Sequence, residues 1–128
     1  MTLVLDTSAV IAALVDEPGG DTVFDQSQNA LLSSVNLAEV YGYAARRNLP
    51  PQLVDAFLDE TGIEVVPLSR AEAQLAGGFV AVTRPAGLSL GDRCCLALAK
   101  ERALPTLTAD RPWLQFSELL GVKIELIR

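Results

Sequence analysis

Four acidic residues stand at the ends of short apolar segments or in the first turn of an apolar helix. They are Asp6 after the run at 3–5, Glu39 at the end of LLSSVNLAE at 31–39, Asp92 within LSLGDRCCLALA at 88–99, and Asp110 at the end of PTLTAD at 105–110. The carboxyl ends of parallel strands in an open α/β sheet meet at one edge, where ligands bind. Grouped carboxylates repel one another, and oxygen-only ligation suits Mg²⁺ or Mn²⁺. The pattern therefore indicates metal-dependent chemistry on phosphate esters.

Two of these acidic residues also have a purely structural explanation as helix caps. Asp6 precedes a predicted helix and could be its N-cap, although Thr7 and Ser8 could cap equally well and leave the carboxylate free. Asp110 is a good cap as well, because Pro112 falls in the first turn that follows. Neither position alone decides between a cap and a site.

The other two acidic residues lie within predicted helices. Asp92 stands three residues after Ser89, as in a capping box, but it also heads the apolar face that includes Cys95 and Leu96. An ionised group there needs a partner or a metal. Glu39 lies roughly 160° from the centre of the apolar stripe of its helix, so periodicity alone predicts a solvated side chain. Only the joint arrangement of the four favours a shared site.

The composition excludes several kinds of chemistry. Histidine is absent, so catalysis by Ser-His-Asp or Cys-His groups and RNA cleavage by a histidine base are excluded. Two cysteines are too few for a zinc site. The formal net charge of −6 is unusual for a nucleic-acid binder, which normally carries a basic face. The acidity could serve solubility, hold cations in a metal site or complement a basic partner, and net charge does not choose among these.

The remaining features predict a cytoplasmic protein with no membrane association. Cys94 and Cys95 are adjacent, so they seldom form a relaxed disulfide, and reduced thiols are typical of a reducing compartment. No apolar run approaches the roughly 20 residues of a membrane span. The first residues also lack the basic stretch of a secretory signal.

Strand-like and helix-like segments alternate along the chain. The predicted strands are 3–5, 30–32, 63–66, 105–107 and 123–126, and the predicted helices are 8–15, 20–28, 35–47, 51–61, 70–82, 90–102 and 114–120. In the helix 35–47 the apolar stripe is formed by Leu37, Ala38, Tyr41, Ala44 and Ala45. A loop is predicted at 83–89. This alternation predicts one α/β domain over 1–128, with a doubly wound parallel sheet of about five strands.

Four motifs in register resemble the PIN-domain family, and within it the VapC-type ribonuclease toxins of bacterial toxin–antitoxin pairs. The motifs are LVLDTSAVIA at 3–12, SSVNLAEV at 33–40, LSLGDRCCLALA at 88–99 and TLTADRPW at 106–113. The resemblance runs from the first predicted strand to the last, and the order and spacing of the motifs match.

The resemblance implies a three-layer α/β/α, Rossmann-like fold and an endoribonuclease that depends on Mg²⁺ or Mn²⁺. It implies a catalytic and metal-binding quartet of Asp6, Glu39, Asp92 and Asp110, with hydroxyl groups beside it from Thr7 or Ser8 and from Thr108. Asn36, one helical turn before Glu39, could add a polar contact. The implied partners are RNA, an antitoxin with a basic C-terminal segment, and a second copy of the chain in a homodimer.

Basic residues that could contact RNA phosphates are few. Arg93 and Arg111 each follow a quartet member directly and are the first candidates for substrate binding. Arg84 and the pair Arg46-Arg47 are further candidates. Trp113 could stack on a base, but packing against the C-terminal helix is the preferred interpretation.

Three other functions can be compared with the sequence, and the first two fit it poorly. A haloacid-dehalogenase-like aspartyl phosphatase would need a second Asp two residues after Asp6, where this chain has Ser8, and a receiver domain would need an Asp after the third strand, where Val66 leads into Pro67. A non-catalytic module could also use the acidic pocket to hold a basic peptide.

Overall fold

The computed structural model describes residues 2–84 and 87–128. Its strands form a five-stranded sheet in the order β3-β2-β1-β4-β5, and each neighbouring pair is parallel. The strands are β1 Val4–Leu5, β2 Leu31–Ser33, β3 Glu64–Val66, β4 Thr106–Thr108 and β5 Ile124–Leu126. The predicted fold class is therefore confirmed.

Helices cover both faces of this sheet. They are α1 Thr7–Leu14, α2 Gly20–Asp25, α3 Ser34–Arg46, α4 Pro51–Thr61, α5 Arg70–Gly78, α6 Val80–Thr83, α7 Leu90–Arg102, the 3₁₀ helix Arg111–Phe116 and α8 Ser117–Leu120. Strand side chains alternate between the faces. Val4 and Leu31 pack in a core with α5, α7 and α8, whereas Leu5 and Leu32 pack in a second core with α1, α3 and α4. The result is the predicted three-layer arrangement.

The sheet reverses its direction of growth next to β1. The chain adds β2 and β3 on one side of β1 and then crosses to add β4 and β5 on the other. The carboxyl ends of β1 and β4 therefore border a topological switch point, which is where ligands bind in open α/β sheets. Asp6 follows β1, and Asp110 lies two residues after β4.

Some predicted boundaries are wrong. All five strands begin one residue later than predicted. Strands β2 and β4 also end one residue later, so Ser33 and Thr108 belong to the ladder, paired with Val66 and Leu126. The predicted helix at 70–82 is two helices, α5 and α6, separated at Phe79. The helix predicted at 20–28 ends at Asp25.

The helix predicted at 114–120 also has a different form. The segment begins earlier, as the 3₁₀ helix, with Pro112 in its first turn, and becomes α-helical only in α8. Within the predicted loop at 83–89, Thr83 ends α6, and Pro85 and Ala86 lie outside the described residues.

Other predictions about buried residues are confirmed. Cys94 and Cys95 are buried free thiols in α7. Trp113 is fully buried in the core that contains Phe116 and Leu120, so it packs against the C-terminal helix.

Along the described ranges, no helix is both long and apolar enough to cross a bilayer.

Candidate active site

Asp6 joins the end of β1 to the start of α1. It is the N-cap of α1, and its Oδ1 accepts hydrogen bonds from the Ala9 amide at 2.8 Å and the Ser8 hydroxyl at 2.7 Å. Its Oδ2 accepts from the Thr108 hydroxyl. The cap explanation for Asp6 is therefore correct, and the idea that Thr7 or Ser8 replaces it as the cap is wrong. Only 4% of Asp6 is exposed, and this burial raises its pKa to about 6, with a smaller contribution from the charge of Asp92.

The two hydroxyl groups around Asp6 also hold the segment after β4. Ser8 Oγ accepts from the Ala109 amide at 2.9 Å, and Thr108 Oγ1 accepts from the Asp110 amide at 3.0 Å. Asp110 occupies the N-cap position of the 3₁₀ helix, but its side chain makes no capping hydrogen bond. The cap explanation is therefore wrong for Asp110, whose carboxylate faces the cavity described below.

Asn36 positions the Glu39 carboxylate. Its side-chain amide donates to Thr7 Oγ1 at 3.1 Å, to Glu39 Oε1 at 3.0 Å and to the Gly91 carbonyl at 3.1 Å, and the Thr7 hydroxyl also donates to Glu39 Oε1. Asn36 is buried, and its Oδ1 has no partner among the residues described. These contacts connect α1, α3 and the first turn of α7.

The prediction that Glu39 is a solvated surface residue is wrong. The buried face of α3 is formed by Asn36, Val40 and Ala44, and two members of the predicted stripe, Ala38 and Ala45, are exposed. Glu39 is half-buried at the edge of this face, one turn after Asn36. The stripe was misplaced because a buried polar Asn leads it.

Gly91 gives the Glu39 carboxylate its space. A Cβ atom built on Gly91 would overlap both carboxylate oxygens of Glu39 and its Cδ. The carboxylate of Glu39 therefore packs directly on the backbone of the first turn of α7. Any other residue type at position 91 would displace it.

Asp92 belongs to a capping box and also lines the cavity described below. It forms a capping box with Ser89, whose Oγ accepts from the Asp92 amide at 3.1 Å while Asp92 Oδ2 accepts from the Ser89 amide at 3.0 Å. Burial raises the pKa of Asp92, and the nearby charges of Asp110 and Glu39 raise it further. Its other carboxylate oxygen is not used by the capping box.

All four carboxylates line a single cavity of about 620 Å³ at the carboxyl edge of the sheet. Thr7 and Ser8 line it as well, and its apolar wall includes Ile11, Val35 and Ala38. Tyr43 and Gly42 are lining residues that the sequence reasoning missed. Spacing from Glu39 could have identified Tyr43, which follows four residues later on the same helix face.

The candidate phosphate-binding arginines differ in where they lie. Arg46 lines the cavity. Arg93 donates to the Ala76 carbonyl at 3.0 Å and Arg111 to the Arg128 carbonyl at 3.2 Å, and neither is among the described residues that line the cavity. Arg84 lies with Arg93 on a smaller cavity of about 190 Å³.

The donor set fits a hard divalent cation. The side chains lining the cavity that can act as metal ligands offer carboxylate and hydroxyl oxygens, which Mg²⁺ and Mn²⁺ prefer. Within residues 2–84 and 87–128, no three Asp, Glu or Cys side chains are placed to hold one ion as they stand. A Mg²⁺ ion does not require such a set, because it keeps several water ligands and binds through one or two carboxylates.

Known proteins share the sequence pattern and the fold of this chain. The PIN domain family model matches residues 3–119. Ribonuclease VapC42 of Mycobacterium tuberculosis and VapC ribonuclease Mb2780c of Mycobacterium bovis are each 31% identical over 115 residues, which cover 82% of this chain and 88% of each relative. In the crystal structure of DNA-bound VapBC from Salmonella typhimurium, a matching chain has the same fold at a TM-score of 0.77 and 20% identity, covering 100% of this chain and 99% of that one. The chain therefore belongs to the PIN-domain family, in its VapC-type branch.

Proposed function

We propose that the protein is an endoribonuclease that hydrolyses phosphodiester bonds with Mg²⁺ or Mn²⁺. The observation that carries the proposal is the single cavity at the switch point of the sheet, lined by carboxylates from four distant segments of the chain. Such a group of like charges is stable at neutral pH only when protonated or when a cation is bound. The VapC relatives are named ribonucleases, which supports RNA as the substrate.

In this proposal Asp6 and Asp92 are the main metal ligands, and Glu39 and Asp110 complete the site directly or through water. A bound divalent ion supplies a Lewis acid that activates water for attack on phosphorus and offsets charge on the leaving oxygen. The chain holds its ligands in place beforehand, because Ser8 and Thr108 donate to Asp6 and Asn36 and Thr7 donate to Glu39. Fixed ligands cost little reorganisation during the reaction.

We propose further that the protein is the toxin of a VapBC-type toxin–antitoxin pair and works in the cytoplasm. Solved structures with the same fold include a toxin–antitoxin complex from Klebsiella pneumoniae and VapBC-1 from Haemophilus influenzae. An antitoxin with a basic C-terminal segment suits the acidic cavity and the net charge of −6. Homodimer formation belongs to the same proposal, and a monomer mass by light scattering at micromolar concentration would contradict it.

Cleavage of single-stranded RNA tests the nuclease proposal. We expect the wild type to cut RNA with Mn²⁺ and not with EDTA, leaving 5′ phosphate and 3′ hydroxyl ends. Asp92→Asn should lower the rate by at least about 10²-fold. Glu101→Gln, an exposed residue near the other end of the same helix, is the matched control and should cut normally.

Two results would overturn the nuclease proposal. Equal cleavage by wild type and Asp92→Asn would show that the carboxylates are not the site. Absence of cleavage by the wild type, together with binding of Mn²⁺ and of a basic peptide, would favour the non-catalytic binding module.

A further inference from the structure

We infer that the cavity side of α3 binds the RNA strand beside the scissile phosphate, with Tyr43 stacking on a base and Arg46 binding a neighbouring phosphate. The inference rests on the proposed nuclease function and names residues that would hold its substrate. It also requires single-stranded RNA, because a base in a duplex is stacked between its neighbours and an aromatic side chain cannot cover it.

The geometry of α3 places these groups in a row. Glu39, Tyr43 and Arg46 are spaced at i, i+4 and i+7, which puts them on the same helix face, and all three line the cavity. At a rise of 1.5 Å per residue, the row extends about 10 Å from the Glu39 position. The neighbouring face of α3 is buried in the core through Val40 and Ala44, which fixes the direction of its cavity side.

Gly42 directs Arg46 along this row. A Cβ atom on Gly42 would meet only Arg46 Nη1, at 3.5 Å, so the arginine side chain runs back over Gly42 towards the carboxylates. With no side chain at position 42, the Arg46 side chain has room to lie on the helix surface between Glu39 and its own position. A nucleotide in the cavity would therefore meet the guanidinium before the backbone of α3.

Arg47 covers one face of the Tyr43 ring, so only the other face can stack on a base. The Arg47 guanidinium carbon lies 3.6 Å from the ring centroid, which fixes the ring orientation by a cation–π contact. The tyrosine itself lines the cavity, next to the apolar wall formed by Val35 and Ala38. Such a combination of aromatic and apolar surface suits a base and a sugar rather than a free anion.

The charges of the cavity support the role of Arg46. The four acidic side chains and Arg46 are the charged groups among its lining residues. Arg93 and Arg111 donate to backbone carbonyl groups instead. Among the described residues Arg46 makes no ion pair, so its guanidinium remains available for a phosphate.

Fluorescence anisotropy with a labelled single-stranded RNA tests this inference in the Asp92→Asn background, which separates binding from turnover. We expect Tyr43→Ala to weaken binding roughly tenfold with an unchanged salt dependence, and Tyr43→Phe to bind normally. Arg46→Ala should weaken binding several-fold and reduce the slope of log K against log salt by about 0.7, as expected for one lost phosphate contact. Arg46→Lys should keep that slope. Arg102→Ala, an exposed arginine at the far end of α7, is the control.

In the wild-type background, Tyr43→Ala and Arg46→Ala should raise KM more than they lower kcat, because they remove binding shared by ground and transition states. Normal RNA binding by both variants, or equally tight binding of duplex RNA, would overturn the inference. If binding falls as expected but neither the wild type nor any variant cleaves RNA, the RNA-binding role of Tyr43 and Arg46 stands and the nuclease proposal fails. If cleavage is normal in both variants, only that RNA-binding role fails.

Discussion

Asp6 is the buried member of the acidic group, and its burial has a cost at neutral pH. The other three carboxylates are half-buried, whereas Asp6 is 4% exposed and accepts three hydrogen bonds. Those hydrogen bonds favour the ionised form, but the loss of hydration outweighs them, so its pKa rises from 3.8 to about 6. The folded protein therefore binds this proton more tightly than the unfolded chain.

The first prediction concerns Asp6→Asn in EDTA. The raised pKa makes the contribution of Asp6 to stability fall as pH rises from about 4 to about 6 and stay low above that. Two pKa units correspond to about 3 kcal/mol. We therefore expect Asp6→Asn to be more stable than the wild type at pH 7, by up to this amount, and nearly equal to it at pH 4. Urea denaturation at each pH measures the difference, and a pH-independent difference would contradict the explanation.

The second prediction concerns Gly91→Ala, which places a methyl group where the Glu39 carboxylate lies. We expect RNA cleavage to fall by roughly 10²-fold, the effect of a displacement of about 1 Å in a catalytic group. Thermal stability should change little, because Ala favours a helix more than Gly and offsets part of the strain. Cleavage rate and melting temperature together measure these two effects.

Gly77→Ala is the control for Gly91→Ala. Gly77 is also helical, but a Cβ atom there would meet nothing within 4 Å. We expect this variant to be more stable by up to about 1 kcal/mol and to cleave RNA normally. If Gly91→Ala also cleaved normally, the packing of Glu39 on α7 would have no role in activity.

Among the elements, α7 both packs the core and presents the site. Its residues from Cys94 to Ala99 are buried, and its first turn carries Gly91 and the Asp92 capping box. The third prediction is that Ser89→Ala destabilises the protein by about 1 kcal/mol and also slows cleavage, because Asp92 loses the partner that fixes its turn.

Ser69→Ala separates these two effects. Ser69 caps α5 in the same way and also donates to the buried Glu72 carboxylate, so its loss should cost at least as much stability. Since α5 contributes no side chain to the cavity among the residues described, cleavage should be normal. Equal slowing in both serine variants would mean that stability alone explains the effect.

Elements with a clear pattern were predictable from the sequence, and those governed by tertiary contacts were not. The alternation of apolar runs with amphipathic segments was enough to predict the order of strands and helices along the chain. Local pattern did not show that α5 ends near Phe79, although Gly77 and Gly78 weakened the helix there. It also missed the 3₁₀ segment after Asp110, because a proline in the first turn suits either kind of helix.

The acidic quartet was predictable as a set, but the environment of each member was not. Sequence spacing suggested that Asp6, Asp92 and Asp110 meet at one edge, whereas helical periodicity placed Glu39 in solvent. The missing information is the buried Asn36, a polar residue that no hydrophobic pattern marks as internal. Gly91 was missed for the same reason, because its importance lies in a contact with a residue 52 positions earlier.

At the scale of the whole molecule, the net charge of −6 and the acidic cavity oppose folding in the absence of a cation. The fourth prediction is that Mg²⁺ or Mn²⁺ raises the melting temperature. A ligand at about 100 times its dissociation constant stabilises by about 2.7 kcal/mol, which corresponds to a shift on the order of 10 °C for a chain of this size. Calorimetry with MnCl₂ against EDTA measures the shift.

The control for this shift is sodium chloride at matched ionic strength, because screening of the net charge of −6 by any salt would also stabilise the protein. A specific site predicts three further results. Asp92→Asn should lose most of the Mn²⁺ shift, Glu101→Gln should keep it, and Ca²⁺ should give a different shift because it prefers more ligands at longer distances. Equal shifts for all variants and for sodium chloride would mean that the cation acts on the overall charge and that the carboxylates form no metal site. In that case the cation that reduces the repulsion would not position the RNA phosphate. Stability and activity would then depend on different charged groups.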